Sequence, residues 1–259
     1  MPRSDQAMEN SRLQLLEGKT AVVTGGAGAI GSAIAVELAR AGAQVAVLDL
    51  LPKAAEALAS RIGHGAVAVG VDLAVESSTR AAAEKVLQHF GSVDILVNNA
   101  GILSNHKMAD TSIEEWRRVN IVNVEAAFLL AQIFLPGMRS KRWGRVVNIS
   151  SYAAKSGGLT AGTAYSVSKS AMIGLTFSIA RETAGQGVTS NAIAPAYVMS
   201  PMVSEQLNDE QRAAQLAQIP VGRFCEPQEV AHTVSFLASP LAGFITGEVI
   251  DMNGGLHFD

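Results

Sequence analysis

From Lys19 onward, short runs rich in β-branched residues alternate with longer alanine-rich stretches of helical period. That alternation predicts a parallel sheet with helices on both faces. The apolar runs give seven strands: Thr20–Thr24, Gln44–Asp49, Ala66–Val71, Ile95–Asn98, Arg145–Ser150, Val188–Ile193 and Glu248–Met252. Between Ile30 and Arg40, apolar residues recur at Ile30, Ile34 and Leu38 and the pattern stops at Gly42, so this segment reads as a helix laid along one face of the sheet. No Pro/Gly/Ser-rich linker, composition shift or short repeat interrupts the chain after residue 18. Residues 18–259 therefore read as one α/β domain with a doubly wound, seven-stranded parallel sheet. Residues 1–17 are polar, with Asp5, Glu9 and Glu17 beside Arg3 and Arg12, and read as a disordered tail without a signal-peptide pattern.

Composition narrows the functional classes. The chain has 259 residues, 48% of them hydrophobic, which is ample for a full core and excludes a disordered or disulfide-stapled scaffold. Twenty basic against 23 acidic side chains leave a formal charge of -3, so no general positive field exists to hold nucleic acid. The single cysteine, Cys225, can close no internal disulfide and build no Cys-rich zinc site, which fits a reducing, cytoplasmic setting. The longest apolar run, around Ala126 to Leu135, is about half of a bilayer span, so a soluble protein without a membrane partner is expected. His106, His232 and His257 show no metal-ligand spacing with acidic neighbours, and no catalytic metal is expected.

The first strand runs into Thr24-Gly-Gly-Ala-Gly-Ala-Ile-Gly31, which contains G-x-G-x-x-G at Gly26, Gly28 and Gly31 and opens a helix. A glycine cluster alone can be only a tight turn. Here it follows a strand, a helix N-terminus offers free N–H groups to a pyrophosphate, and Asp49 ends the next strand 18 residues after Gly31. Together these point to a dinucleotide in a Rossmann-like fold, with Gly25, Gly28, Ala29, Ile30 and Gly31 around the phosphates and Asp49 and Leu50 at the ribose. A carboxylate at Asp49 accepts the ribose hydroxyls of NAD and repels the 2'-phosphate of NADP. The same carboxylate can instead cap the helix that starts near Pro52.

Tyr165 and Lys169 are spaced i, i+4 in a segment of helical period, so they share one helix face. A free tyrosine is about 0.1% ionised at pH 7; a nearby ammonium and an oxidised nicotinamide together can lower its pKa by up to about 3, making tyrosinate a feasible general base. Such i, i+4 pairs are also common on ordinary exposed helices, and the spacing alone leaves that alternative open.

In this order the motifs resemble those of the short-chain dehydrogenase/reductase family, from Lys19 to Gly255. The glycine segment resembles its TGxxx[AG]xG, with Ala29 at the alternative position. Asp72-Leu73 resembles the adenine-contacting pair, and Asn98-Asn99-Ala100-Gly101 its NNAG. Asn123 resembles the family's helix asparagine, and Ser151 the catalytic serine ahead of Tyr165 and Lys169. The resemblance implies Tyr165 as acid/base, Ser151 orienting the substrate oxygen, Lys169 holding the nicotinamide ribose and lowering the tyrosine pKa, and Asn123 holding the water of a proton relay. It also implies cofactor contacts from Asn99, Ala100 and Gly101.

Asn191–Met202 resembles the family's NxxxPGxxxT loop over the nicotinamide, which would bring Pro195, Ala196, Val198 and Ser200 to the cofactor. Ala196 replaces the glycine and Ser200 the threonine, so ordinary backbone is expected at Ala196. The interval from Ser151 to Tyr165 is slightly longer than the commonest family spacing.

The expected activity is NAD-dependent hydride transfer at a secondary alcohol, such as a sugar, polyol or steroid-like compound. Reduction of a 3-oxoacyl thioester is the alternative; Asp49 weighs against it, because the resemblance links such reductases mainly to NADPH. A non-catalytic nucleotide sensor would be expected to lack Tyr165 or Lys169. The family layout puts substrate walls at Leu103–Met108, Tyr152–Thr163 and Pro201–Gln218, with Tyr152, Tyr197, Met199 and Met202 as apolar surface and Ser104, Asn105, His106 and Thr160 as polar groups. The helices Ser112–Met138 and Thr163–Ala184 are too apolar for one wet face, and the resemblance implies that they pair across a two-fold axis in a homotetramer.

Overall fold

A computed structural model describes residues 14–199 and 208–258. Its sheet has seven strands, β1 (Thr20–Thr24), β2 (Gln44–Asp49), β3 (Val67–Gly70), β4 (Ile95–Asn98), β5 (Gly144–Ile149), β6 (Val188–Pro195) and β7 (Val249–Met252), in the order β3-β2-β1-β4-β5-β6-β7. Every pairing is parallel. The strands are apolar along most of their length because helices cover both faces. β6 runs two residues past its expected end, since Ala194 and Pro195 still pair with Asp251 and Met252 of β7.

The helices are α1 (Ala29–Arg40), α2 (Pro52–Ile62), α3 (Glu76–Phe90), α4 (Ile113–Asn120), α5 (Ala126–Ser140), α6 (Ala153–Ser156), α7 (Thr163–Thr183), α8 (Asp209–Leu216) and α9 (Pro227–Ala238). Two apolar cores flank the sheet. One joins Ile34 and Leu38 of α1 to Val230 and Val234 of α9. The other joins Val86 of α3 to Leu130, Phe134 and Met138 of α5. Leu16 is fully buried in the first core and its N–H donates to the Ala41 carbonyl at 2.8 Å. The folded domain therefore includes residue 16, a correction to the tail boundary at 17; residues 1–13 of that tail lie outside the described residues.

The single helix expected over Ser112–Met138 carries a π-helical turn at Ile121–Glu125 between α4 and α5. Such wide turns tend to mark functional positions, and this one holds Asn123. The whole run, Ile113–Ser140, is 28 residues and long and apolar enough to cross a bilayer by length and composition. That exceeds the Ala126–Leu135 stretch weighed from the sequence, but its inner side chains Leu130, Phe134 and Met138 rest in the core.

The strand order reverses between β1 and β4. Chain leaves the two strands in opposite directions there, opening a crevice at their carboxyl ends, where ligands bind in sheets of this kind.

Candidate active site

The glycine loop 25–28 leaves β1 and enters α1, with Gly28 as N-cap. Two glycines are dictated by space. Gly25 has φ +59°, and a Cβ there would lie 2.9 Å from the Ala100 Cα; a Cβ on Gly31 would strike the Gly25 carbonyl. The loop after β4 braces this cradle. Asn99 Nδ2 donates to the carbonyls of Thr24 (2.9 Å) and Gly25 (3.1 Å), while the N–H groups of Asn99 and Ala100 both donate to Thr24 Oγ1 at 3.0 Å. The first-turn N–H groups of α1 have no intrahelical acceptor and carry the positive end of the helix dipole. A cavity of about 590 Å³ begins at this turn, lined by Gly25, Gly28, Ala29, Ile30 and Gly31, and continues past Asn99–Gly101 to the tyrosine. The bare backbone, helix terminus and length of the cavity fit a dinucleotide.

Asp49 lies on the same wall at the tip of β2. Its Oδ2 accepts from the Ala27 N–H at 2.9 Å and its Oδ1 from the Leu51 N–H at 3.0 Å. Leu51 is the N-cap residue of α2, and neither Asp49 oxygen accepts from an N–H of the first helical turn, so Asp49 does not cap α2; it braces the glycine loop and the turn before the helix and lines the cavity.

At the far end, Tyr165 and Lys169 project from α7 toward Ser151, which follows β5. The Tyr165 hydroxyl is hydrogen-bonded to the Ser151 side chain. Lys169 Nζ donates to the Ile149 carbonyl at 2.8 Å and lies 5.7 Å from the centre of the Tyr165 ring. Ser150 Oγ donates to the Lys169 carbonyl at 2.8 Å, which ties α7 to the end of β5. Burial pushes the Lys169 ammonium down to about 8. The same burial raises the Tyr165 hydroxyl above its ordinary value, with the Ser151 hydrogen bond pulling the other way. Burial is thus the larger influence on Tyr165 and the Ser151 hydrogen bond the smaller.

Asn123 is buried one layer behind. Its Oδ1 accepts from the Ile102 N–H at 2.8 Å, and its Nδ2 donates to the Ile102 carbonyl (3.2 Å) and to Ser168 Oγ (2.9 Å). A Cβ on Gly101 would sit 3.2 Å from Lys169 Nζ and 3.3 Å from Asn123 Oδ1, so only glycine lets that backbone pass between them without crowding. Buried hydroxyl, ammonium and serine at the end of a dinucleotide-sized cleft suit transfer of a hydride together with a proton.

A family model described as Enoyl-(Acyl carrier protein) reductase matches residues 25–257. The 3-oxoacyl-[acyl-carrier-protein] reductases FabG of Vibrio cholerae and Escherichia coli are 42% and 38% identical over 243 and 242 residues, 93% of this chain and 98% of each relative. A crystal structure from Beutenbergia cavernae, provisionally described as an NAD(P)-dependent gluconate 5-dehydrogenase with NADP bound at low occupancy, superposes with a TM-score of 0.87 at 39% identity and covers 93% of this chain and 97% of its own. The chain is a short-chain dehydrogenase/reductase. It is accordingly an oxidoreductase acting between alcohol and carbonyl groups with a nicotinamide dinucleotide.

As a member of this family the chain has informative departures. Ala196 avoids the left-handed region, as expected, and the next residue, Tyr197, takes it instead with φ +45°. Pro195, Ala196 and Val198 line the cavity, whereas Ser200 lies outside the described residues, as does Met202. Leu50 is exposed and off the wall, and Leu51 takes its place. The pair Asp72-Leu73 is also off the wall: Asp72 Oδ1 accepts from the Ala74 N–H at 2.9 Å, and Leu73 packs against the second core. Ala27 and Ile149 line the cavity without having been singled out, although Ala27 sits inside the glycine motif; Tyr197, expected as apolar surface on the substrate side, lines it as well.

On the substrate side, Leu103, Tyr152, Leu159, Thr160 and Ala161 line the cavity. Ser104 and His106 turn away: Ser104 Oγ and His106 Nδ1 (2.7 Å) both bond the carboxylate of Glu115 on α4, which holds that carboxyl below its usual range. Asn105 is also absent from the wall.

Proposed function

We propose that this enzyme reduces 3-oxoacyl thioesters with NADH. The observation that carries the proposal is the polarity of the wall. Around Tyr165 the wall is mostly apolar, with Leu103, Ala153, Leu159, Ala161 and Val198, and its polar groups besides Ser151 and Tyr165 are few: Ser156, Thr160 and the phenols of Tyr152 and Tyr197. That suits an apolar chain bearing one carbonyl better than a sugar with a hydroxyl on every carbon. The relatives named as 3-oxoacyl-[acyl-carrier-protein] reductases support the same reading.

The groups around the cavity can carry such a reduction through. With its hydroxyl held above the ordinary value, Tyr165 is protonated at neutral pH and serves as a proton donor. A dihydronicotinamide held by the glycine loop and Lys169 would supply the hydride for the carbonyl carbon. Tyr165 gives its proton to the carbonyl oxygen as negative charge develops there, and the Ser151 hydroxyl donates a hydrogen bond to that oxygen. Lys169, still largely an ammonium at pH 7 with a value of about 8, offers its charge to the resulting tyrosinate and its donors to the cofactor's ribose. Asn123 fixes Ile102 and Ser168, so the loop beside the nicotinamide and the α7 face stay in register.

The preference for NADH rests on Asp49: its carboxylate faces the cavity, and the lining residues around it, Gly25, Ala27, Gly28 and Leu51, carry no cation to offset a 2'-phosphate. A second reading, oxidation of a sugar or polyol, draws on Asp49 and on the gluconate 5-dehydrogenase-like structure. Initial rates with acetoacetyl and longer 3-oxoacyl thioesters, set against gluconate and a polyol panel, separate the two. Thioester kcat/KM higher by about 100-fold is the expected result, since a hydroxyl buried without a partner loses its hydrogen bonds to water and an apolar pocket rejects an added hydroxyl by about that much. Turnover confined to the polyols would overturn it.

We further propose a homotetramer. Phe128 of α5 and Val167 and Phe177 of α7 are exposed, and a separate exposed set is formed by Phe236, Leu241 and Phe244. Two apolar patches on different elements suit two kinds of two-fold contact. Light scattering at micromolar concentration tests this, and an active monomer would refute it.

A further inference from the structure

One stretch of the substrate wall is held by almost nothing in the main chain. Between α6 and α7, Gly157 and Gly158 take left-handed conformations in succession, φ +69° and +78°, and the chain then presents Leu159, Thr160 and Ala161 to the cavity. Leu159 is 67% exposed. Among the described residues, no main-chain hydrogen bond is made by residues 158–161. Their carbonyls instead converge on one atom. Lys107 Nζ donates to the carbonyls of Gly158 at 2.5 Å and Ala161 at 2.6 Å, with that of Leu159 at 3.4 Å. Without a cation, oxygens gathered so closely would repel each other and the loop would open.

Lys107 reaches across from a fixed base. Ser104 and His106, just before it, are bonded to Glu115 of α4, and their carbonyls accept from the N–H groups of Gly162 (2.7 Å) and Thr163 (2.9 Å) at the start of α7. Those bonds secure both ends of the bridge and leave 158–161 to the ammonium alone. Lys107 itself is not on the cavity wall. It also touches the part of the chain where the Ser151–Tyr165 interval exceeds the usual family spacing.

We propose that Lys107 is a positioning residue that sets substrate affinity by holding Leu159 and Thr160 against the pocket. It acts through that wall and leaves the hydride and proton transfers to Ser151, Tyr165 and Lys169. The inference rests on assigning the Tyr165 side of the cavity to the substrate, and not on which carbonyl compound is reduced.

The test compares Lys107→Met and Lys107→Arg with the unaltered enzyme, using whichever ketone or alcohol that enzyme turns over best. For Lys107→Met the expectation is a KM raised about tenfold with kcat within about twofold, the signature of lost binding without lost transition-state chemistry. The Kd for NADH, read by fluorescence, should be unchanged, which also shows that the variant is folded. Cleavage after Leu159 by a protease specific for large apolar residues should be faster in Lys107→Met without any substrate present. Lys107→Arg, whose guanidinium can still donate to several carbonyls, should recover most of both effects. An unaltered KM and cleavage rate in Lys107→Met would overturn the proposal, as would a fall in kcat at constant KM. If the enzyme reduces no 3-oxoacyl thioester, the function proposed above fails, while the protease comparison and the KM for the alternative substrate still decide the role of Lys107.

Discussion

At the cofactor end of the cleft, main chain meets main chain: a Cβ on Gly31 has only the Gly25 carbonyl to enter, and one on Gly25 meets the Ala100 backbone. At the substrate end the backbone also packs closely at Gly162, but the wall beyond it is held by side chains. Lys107 spans to the carbonyls of 158–161, and Glu115 fastens Ser104 and His106. The first arrangement is specified by the absence of atoms and tolerates almost no substitution. The second is specified by long, adaptable side chains, so it can be re-cut for a new substrate without disturbing the cradle. Tyr165, Lys169 and Ser151 stand between the two regions, on α7 and just beyond β5, and belong to the rigid one.

The sharpest break between the regions should come from Tyr165→Phe, which keeps the ring and removes one hydroxyl. Turnover should fall by about 100-fold or more while NADH binds within about twofold of its normal affinity. Lys169→Ala should harm both readouts. Initial rates paired with a fluorescence titration check this, and retention of a tenth of the activity in Tyr165→Phe would remove the tyrosine from the mechanism.

Next in size is the contrast between Gly31→Ala and Leu159→Ala. The added methyl at residue 31 collides with backbone, so dinucleotide affinity should drop by about tenfold or more, because the close approach needed by the phosphates is lost. Leu159→Ala removes exposed apolar surface from the other wall and should change the KM of a long-chain substrate by only about two- to fivefold, as expected for a partly buried side chain. Equal effects on the two KM values would erase the distinction between the two ends.

That distinction also explains what was legible in the sequence. Gly25 and Gly31 could be placed because the steric demand fixes the residue type, and Gly28 and Asn99–Gly101 because they stand in motifs that directly follow a strand. The Tyr165–Lys169 pair could be placed because four residues are about one helical turn. Of the expected cofactor contacts, Leu50, Asp72 and Leu73 do not line the cavity; at the end of β2 the chain turns so that Leu51, rather than Leu50, is on the wall. Lys107 carried no signal, since an exposed lysine in a polar loop looks the same whether it meets water or three carbonyls. Nor could the elevated pKa of Tyr165 be read from the i, i+4 spacing, because desolvation is a property of the assembled site.

A smaller effect should follow from Asp49→Ala. If its charge is what disfavours a 2'-phosphate, the ratio of kcat/KM for NADH to that for NADPH should narrow by about tenfold, near the 1.4 kcal/mol expected of one partly solvated like-charge contact. Because Asp49 also receives the Ala27 and Leu51 N–H groups, Asp49→Asn is the better-matched control, keeping an acceptor without the charge. An unchanged ratio in both variants would move cofactor choice elsewhere.

The smallest expected effect is a pH dependence of stability that buried Lys169 and half-buried Cys225 nearly hide from each other. Lys169 is depressed to about 8, below its unfolded value of about 10.4, so between these pH values the unfolded chain holds a proton that the folded chain has shed. On this account stability rises with pH across that window, by at most about 1.4 kcal/mol per pH unit for one proton. Cys225 has the opposite sign. Burial pushes its thiol up to about 11, above an unfolded value of about 8.5, so across its own window the folded chain keeps a proton that the unfolded chain loses, and stability falls. From pH 8.5 to 10 the two slopes oppose, and the Tm of the unaltered enzyme should be nearly flat with respect to these groups. Cys225→Ser removes the main falling component below the pH at which Tyr165 begins to titrate, and should expose a Tm that climbs by a few degrees between about pH 8.5 and 9.5. Adding Lys169→Met should abolish the climb, since no titrating ammonium is then left in the site. A flat profile for Cys225→Ser, measured by thermal unfolding in matched buffers, would mean that Lys169 is less deeply desolvated than its place beneath Tyr165 requires.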